Sequence, residues 1–81
     1  MPEETHSKVA REIVAGTLEI DMASVTESAS IDTIREWTSI MHVLIIHAVE
    51  SRIDRSLSIE ETLDLMSING IARVLRQAQS E

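Results

Sequence analysis

The stretch that decides the fold is Glu36-Trp37-Thr38-Ser39-Ile40-Met41-His42-Val43. It places the single tryptophan of the chain before two hydroxyl residues, and a long apolar run follows. Serine and threonine are favoured at helix starts because their oxygens accept hydrogen bonds from free backbone N–H groups. If Thr38 is the cap, Ser39 lies in the first turn with its hydroxyl directed outward. Free N–H groups and the helix dipole favour an anion at that position.

A helix over Thr38–Asp54 is the strongest predicted element, because this stretch contains neither glycine nor proline. The run Val43–Ile46 by itself would suit a buried strand, but the length of the apolar stretch favours a helix. Apolar residues cover more than half of the helix circumference, which predicts a central position. The predicted buried stripe is Val43, Ile46, Val49 and Ile53, with Ile40, His47 and Glu50 at its edges.

A first helix is predicted over Met1–Leu18, with Pro2 at its first position and Gly16 near its end. Its stripe is Val9, Ile13, Gly16 and Thr17, with Ala10, Val14 and Leu18 beside it. Residues 19–36 lack a helical or strand period and predict a long ordered loop. We expect this loop to contain a helical turn near Ala23–Val25 and to be pinned by Ile20, Val25, Ile31 and Ile34. The alternative is a short helix in this stretch.

Two further helices follow the central one. Ser58 is expected to cap a short helix within residues 56–66, with Glu60 and Glu61 in its first turn. Ile59, Leu63 and Met66 are predicted to face inward. Ser67 is expected to cap a last helix to about Gln77, with Asn69-Gly70 in its first turn and a stripe of Ile68, Ile71, Val74 and Leu75. The prediction is an all-α, small four-helix antiparallel bundle with a long first loop, forming a single domain over residues 1–81.

Composition limits the classes of partner. The chain has 81 residues, no cysteine, one tryptophan, and neither phenylalanine nor tyrosine. Its net charge is −7, from 14 acidic and 7 basic residues. Nucleic acid and anionic membranes are therefore not expected as partners. The longest apolar run is too short to span a bilayer, and no N-terminal signal pattern is visible, so we expect a cytoplasmic protein.

Catalysis and metal binding are not expected. Ser39 and His42 could share a helix face, but no glycine-rich turn or oxyanion hole accompanies them. His42 and His47 are five residues apart and do not share a face, so no metal site is predicted. His42 is expected to be a surface or partner-facing residue, and His47 a core-edge residue bonded to a loop carbonyl. Trp37 is expected to pack the loop against the bundle, and it can position the neighbouring serine at the same time.

Trp37-Thr38-Ser39-Ile40 with His42 resembles the Trp-Asp-Ser-Leu-x-His form of the acyl carrier protein signature. The resemblance covers nearly the whole chain through spaced positions that include Val43, Ile46, Val49-Glu50, Ile53-Asp54, Leu57, Glu60-Glu61, Leu65, Ser67-Ile68 and Ile71. It implies the acyl-carrier-protein fold and a 4′-phosphopantetheine arm attached covalently to Ser39. It also implies a non-catalytic carrier of acyl or aminoacyl thioesters. The family's aspartate before the serine is Thr38 in this chain, and its acidic second helix is largely apolar here.

The implied partners are a phosphopantetheinyl transferase and enzymes that load and transfer acyl or aminoacyl groups. They are expected to dock on Trp37, Thr38, Ile40, Met41 and His42. The apolar second helix favours a dedicated carrier in a specialised biosynthetic pathway, acting as a monomer. Two alternatives remain: an unmodified helical protein-interaction module, which Thr38 favours, and a chain that self-associates through exposed Met41, Leu44 and Ile45.

Overall fold

The structure is a computed structural model that describes the backbone of residues 2–80 and the side chains of residues 5–78. These residues form α1 (Pro2–Leu18), a 3-10 turn (Met22–Ser24), α2 (Ser39–Ile53), α3 (Ile59–Asp64) and α4 (Ile68–Ser80). Strands do not occur in this part of the chain, apart from an isolated antiparallel bridge between Ser30 and Ser67. The predicted all-α class with four helices is confirmed. The predicted start at Met1 lies outside the described residues.

The helices α1 and α2 end where the backbone turns left-handed. Glu19 has a φ of 57° directly after α1, and Asp54 has a φ of 60° directly after α2. The N–H of Ile20 then donates to the carbonyl of Ala15 at 3.0 Å, a hydrogen bond typical of such helix ends. Gly16 is exposed and lies within α1, so the prediction that it lies near the end of the helix is confirmed, but the terminating residue is Glu19.

One hydrophobic cluster forms the core, and α1 packs against both α4 and α2 around it. The predicted stripe of α4 is confirmed, since all four of its residues are buried. In α1 the deeper residues are Ala10, Val14 and Leu18, whereas Val9 and Ile13 are half-buried. The other buried apolar residues outside α4 are Ala15, Val25, Ala29, Ile34, Trp37, Ile45, Val49 and Leu65.

The predicted buried stripe of α2 is correct in part. Val49 is buried, and Ile46 and Ile53 pack partly buried against the core. The face that enters the core carries His42, Ile45 and Val49, whereas Val43 is half exposed. The helix is apolar on nearly every side, so periodicity within it could not select the buried face. The packing of α1 and α4 makes that selection.

The inward orientation predicted for α3 is also wrong. Ile59 is 78% exposed, Leu63 59% and Met66 39%. Leu65, the residue after the helix, enters the core instead. The capping of α3 is confirmed, because Ser58 and Glu61 bond each other's backbone N–H groups reciprocally.

The loop from Glu19 to Thr38 is ordered, as predicted, and its helical turn lies at Met22–Ser24. Arg11 of α1 donates hydrogen bonds to the carbonyls of Val25 and Met22. These bonds satisfy two backbone oxygens of the loop, so the turn is fixed to α1 through polar as well as apolar contacts.

The second half of the loop pairs with the junction between α3 and α4. Ile31 N–H donates to the Met66 carbonyl at 2.8 Å, and Ile68 N–H donates to the Ala29 carbonyl at 3.0 Å. The loop therefore runs across the start of α4 before it reaches α2, which sets where α2 begins.

Gly70 is required by the approach of α3 to α4. A Cβ added at Gly70 would lie 1.6 Å from the carbonyl oxygen of Asp64, which is a backbone atom. The N–H of Gly70 donates to the Ser67 hydroxyl at 3.0 Å, which confirms the predicted cap and the position of Gly70 in the first turn.

Candidate functional site at the start of α2

Thr38 caps α2, as the sequence predicts. Its backbone is extended, with φ −87° and ψ 173°, and its hydroxyl oxygen accepts a hydrogen bond from Met41 N–H at 3.2 Å. Its carbonyl accepts from His42 N–H at 2.8 Å. The cap therefore satisfies two backbone donors of the first turn and needs no help from Ser39.

Ser39 is the first residue of α2 and is exposed. Its hydroxyl makes no hydrogen bond to the rest of residues 2–80, because Thr38 performs the capping. The first turn of α2 contains no acidic residue. An anion attached to the Ser39 oxygen would therefore face open N–H groups without a nearby carboxylate on the same turn.

Trp37 and His42 form a buried hydrogen-bonded chain below Ser39. Trp37 Nε1 donates to His42 Nδ1 at 3.1 Å, and the two ring centroids are 6.1 Å apart. Because the indole N–H can only donate, Nδ1 must accept and the hydrogen of the neutral imidazole lies on Nε2. Nε2 is 3.3 Å from the carbonyl oxygen of Thr62 and donates to it. This chain joins the end of the loop, the first turn of α2 and α3.

Two sequence expectations about the histidines are wrong. His42 is only 8% exposed, so its ring lies inside the protein and not on a docking surface. His47 is exposed and does not lie at the core edge. One feature of the sequence could have predicted that His42 is buried. Its spacing to Trp37 across the helix cap allows the ring nitrogens of the two residues to form a hydrogen bond.

The predicted docking residues divide into two groups. Trp37 is 2% exposed and packs the loop, so its interpretation as a loop plug is confirmed, and neither it nor His42 offers a side chain to a partner. Thr38 and Ile40 are exposed, and Met41 is half-buried against the core. The accessible part of the site is therefore Thr38, Ser39 and Ile40.

An apolar surface adjoins Ser39, which we call the outer surface. On α2 it contains Ile40, Val43 and Leu44, which are 77%, 50% and 47% exposed. Outside α2, Ile59 and Leu63 of α3 and the following Met66 are also exposed. Of the residues that the self-association alternative requires to be exposed, Leu44 is exposed, whereas Ile45 is fully buried and cannot take part in a surface contact.

The charged groups near the site hold the segment between α2 and α3. Glu50 accepts a hydrogen bond from Leu57 N–H at 2.9 Å. Arg55 forms a bidentate ion pair with Glu61, with N–O distances of 2.9 and 3.1 Å. The guanidinium of Arg55, and then the N–H of Ser58, lower the pKa of Glu61 from 4.5 to about 2.

Two open pockets of about 400 Å³ and 390 Å³ lie elsewhere in the molecule. The first lies against α1 and α4, with Glu27 of the loop at its wall, and the second lies against the C-terminal end of α2. That end is about 20 Å from Ser39 along the helix axis, given a rise of 1.5 Å per residue. Neither pocket adjoins the site.

The described part of the chain contains no group of three or more His, Cys, Asp or Glu residues placed to hold a metal ion. Within the same residues, every helix is too short or too polar to cross a bilayer. Comparison of the chain with protein-family models, with curated proteins and with solved structures found no match.

Proposed function

We propose that this chain is a freestanding carrier protein that bears a 4′-phosphopantetheine arm on Ser39. The observation that carries the proposal is that the two hydroxyl residues at the start of α2 have different roles. Thr38 caps the helix by accepting a hydrogen bond from its first turn, and the exposed Ser39 hydroxyl is left without a structural role. The resemblance of residues 37–42 to the acyl carrier protein signature supports the same serine, and the four-helix architecture is compatible with an acyl-carrier-protein fold.

The chemistry requires a partner enzyme, because the chain itself supplies only the acceptor. The Ser39 oxygen attacks the pyrophosphate of coenzyme A, its proton passes to a base on the phosphopantetheinyl transferase, and adenosine 3′,5′-bisphosphate leaves. The new phosphodiester lies at the N-terminus of α2, where the N–H groups of Ser39 and Ile40 remain open to an anion. The terminal thiol of the arm then carries an acyl or aminoacyl group as a thioester, in a specialised pathway of the cytoplasm.

The surface that partner enzymes meet is smaller than the sequence predicts. Thr38 and Ile40 remain as its exposed members beside Ser39, and Met41 is half-buried against the core. Trp37 and His42 are buried beneath it and support it. Their buried hydrogen bond holds the first turn of α2 in a fixed orientation. This makes Trp37 and His42 positioning residues for the arm.

The test is modification by a broad-specificity phosphopantetheinyl transferase with coenzyme A, read by mass spectrometry of the intact protein. We expect one phosphopantetheinyl mass on the wild-type chain and none on Ser39→Ala. Ser51→Ala is the matched control, since Ser51 is also an exposed serine of α2, and it should be modified like the wild type. An unchanged wild-type mass with several transferases contradicts the proposal.

A second candidate function is an unmodified protein-interaction module, and Thr38 is the observation that favours it. Thr38→Asp distinguishes the two functions cleanly, because aspartate caps a helix as well as threonine and also supplies the carboxylate that the family has there. A wild-type chain that stays unmodified while Thr38→Asp accepts the arm identifies the module. Equal modification of both identifies the carrier.

A further inference from the structure

We propose that Asn69 is a site of spontaneous deamidation, and that the hydrogen bond from Gly70 N–H to the Ser67 hydroxyl sets its rate in the folded chain. Asn69 is the single asparagine of the sequence, and a glycine follows it. Glycine leaves its own backbone nitrogen open to the preceding side chain, because it has no Cβ to obstruct the approach. Asn69 is also exposed, so water reaches its amide.

The reaction replaces the amide nitrogen of Asn69 with an oxygen from water. The Gly70 backbone nitrogen gives its proton to hydroxide or a buffer base and attacks Asn69 Cγ. The bond from Cγ to the amide nitrogen then breaks, and this nitrogen takes a proton from water and leaves as ammonia. A five-membered succinimide now joins the two residues. Water adds to either carbonyl of the ring and opens it, which gives aspartate or isoaspartate at position 69.

Packing explains why the reactive pair is present. A Cβ added at Gly70 would lie 1.6 Å from the carbonyl oxygen of Asp64, so a larger residue does not fit. Gly70 is buried, whereas Asn69 beside it is exposed. The close approach of α3 to α4 therefore requires the glycine that makes Asn69 reactive.

The first turn of α4 opposes the attack in two ways. Gly70 N–H donates to the Ser67 hydroxyl at 3.0 Å, so the proton that must leave is held in a hydrogen bond. Asn69 is the second residue of the helix, and ring closure requires it to leave the helical range of ψ. The reaction therefore waits until this turn opens. Local opening of a helix end needs less free energy than unfolding of the whole chain.

Isoaspartate would disturb the loop that leads to α2. It adds one methylene group to the backbone between residues 69 and 70, inside the first turn of α4. The loop is fixed beside this turn, because Ile68 N–H donates to the Ala29 carbonyl at 3.0 Å. The same loop carries Trp37 to its buried position. Conversion of Asn69 is therefore expected to lower the stability of the loop as well as that of α4.

The test follows the intact mass of the full chain during incubation at mildly alkaline pH, with peptide mapping to locate the converted residue. We expect the folded wild type to convert about 100-fold more slowly than the chain unfolded in urea, because only the opened fraction reacts. Ser67→Ala should convert about 5-fold faster than the folded wild type, the factor that corresponds to the loss of a helix cap. Ser67→Thr keeps an acceptor for Gly70 N–H and should convert at the wild-type rate.

Ser58→Ala is the matched control, since it removes the same kind of cap from α3 and leaves the first turn of α4 intact. It should convert at the wild-type rate. Equal acceleration in Ser58→Ala and Ser67→Ala would assign the reaction to global unfolding and overturn the role of Ser67. A folded wild type that converts as fast as the unfolded chain also overturns the inference, as does an unfolded chain that does not convert at Asn69. The inference does not rest on modification of Ser39, so a failed transferase assay leaves it standing.

Discussion

The two faces of α2 are built from the same kinds of residue and have opposite surroundings. Ile45 and Val49 are fully buried on the inner face, whereas Ile40 and Val43 are 77% and 50% exposed on the outer face. Hydrophobic character therefore does not separate the faces. The inner face is covered because α1 and α4 pack against α2, and the outer face is left exposed.

The largest difference in stability between substitutions on the two faces should come from truncating matched aliphatic side chains to alanine. Ile45→Ala should lower the free energy of unfolding by about 3–4 kcal/mol, because it removes buried methyl groups and leaves a cavity. Val43→Ala should lower it by about 0.5 kcal/mol or less, since half of that side chain is already in water. Urea unfolding followed by circular dichroism measures both. Equal losses in the two variants would mean that α2 is rotated from the orientation described here.

If Ile45→Ala leaves too little folded protein for an unfolding curve, Ile45→Val provides the same comparison with a smaller loss of stability. It should lower the free energy of unfolding by about 1 kcal/mol, which a domain of marginal stability tolerates.

The two histidines of α2 give the next comparison. His42→Ala should cost about 2–3 kcal/mol of folding stability, because it breaks the bonds to Trp37 and Thr62 and leaves the buried indole N–H without an acceptor. His47→Ala should change stability little, as His47 is exposed. Thermal unfolding followed by tryptophan fluorescence reports stability and the Trp37 environment together. A similar shift in both variants would contradict the hydrogen-bonded chain.

Removing one or the other of the two neighbouring hydroxyl groups at the start of α2 should give a smaller difference in stability. Thr38→Ala should lower the free energy of unfolding by about 1 kcal/mol, the usual cost of losing a helix cap. Ser39→Ala should leave it nearly unchanged, because the Ser39 hydroxyl makes no hydrogen bond within residues 2–80. Chemical denaturation of the two variants measures the difference. The opposite order would assign the cap to Ser39 and remove the observation on which the carrier proposal rests.

The smallest change in stability should appear only in acid, and it comes from Glu61 in the first turn of α3. The pKa of Glu61 is about 2 in the folded chain and 4.5 ordinarily, so its ionised form stabilises the fold above pH 4.5. This contribution is lost as the pH falls from about 4.5 to 2. Glu61→Gln should therefore lose less stability than the wild type over this interval in acid-titrated thermal unfolding. Glu60→Gln, at the exposed neighbouring carboxylate, should follow the wild-type curve.

Much of the fold is predictable because helix ends depend on local chemistry. The sequence predicts Thr38, Ser58 and Ser67 as caps, and each accepts a hydrogen bond from the first turn of its helix. These bonds form between residues three apart, so their partners are visible in the sequence itself. The exposure of Ser39 follows from the same reasoning, since a single residue suffices for the cap.

The parts of the site that sequence reasoning missed depend on distant residues. His42 is buried because it contacts Trp37 of the loop and Thr62 of α3. Thr62 lies 20 residues further along the chain. Nothing within α2 indicates Thr62, whereas Trp37 lies only five residues from His42 and its spacing is visible in the sequence. The same holds for Arg11, whose bonds to the loop join residues 11 and 14 positions apart.

The sequence by itself determined that four helices form and where α2, α3 and α4 begin. It also determined that a hydroxyl group with no capping role stands at the start of α2. These properties follow from hydrogen bonds and periodicities within a few residues. Only the tertiary structure decided which face of α2 enters the core, that Ile59 and Leu63 stay outside it, and that Gly70 must lack a side chain. The physical reason is that apolar burial has no direction of its own. A helix that is apolar on all sides takes its orientation from whatever packs against it.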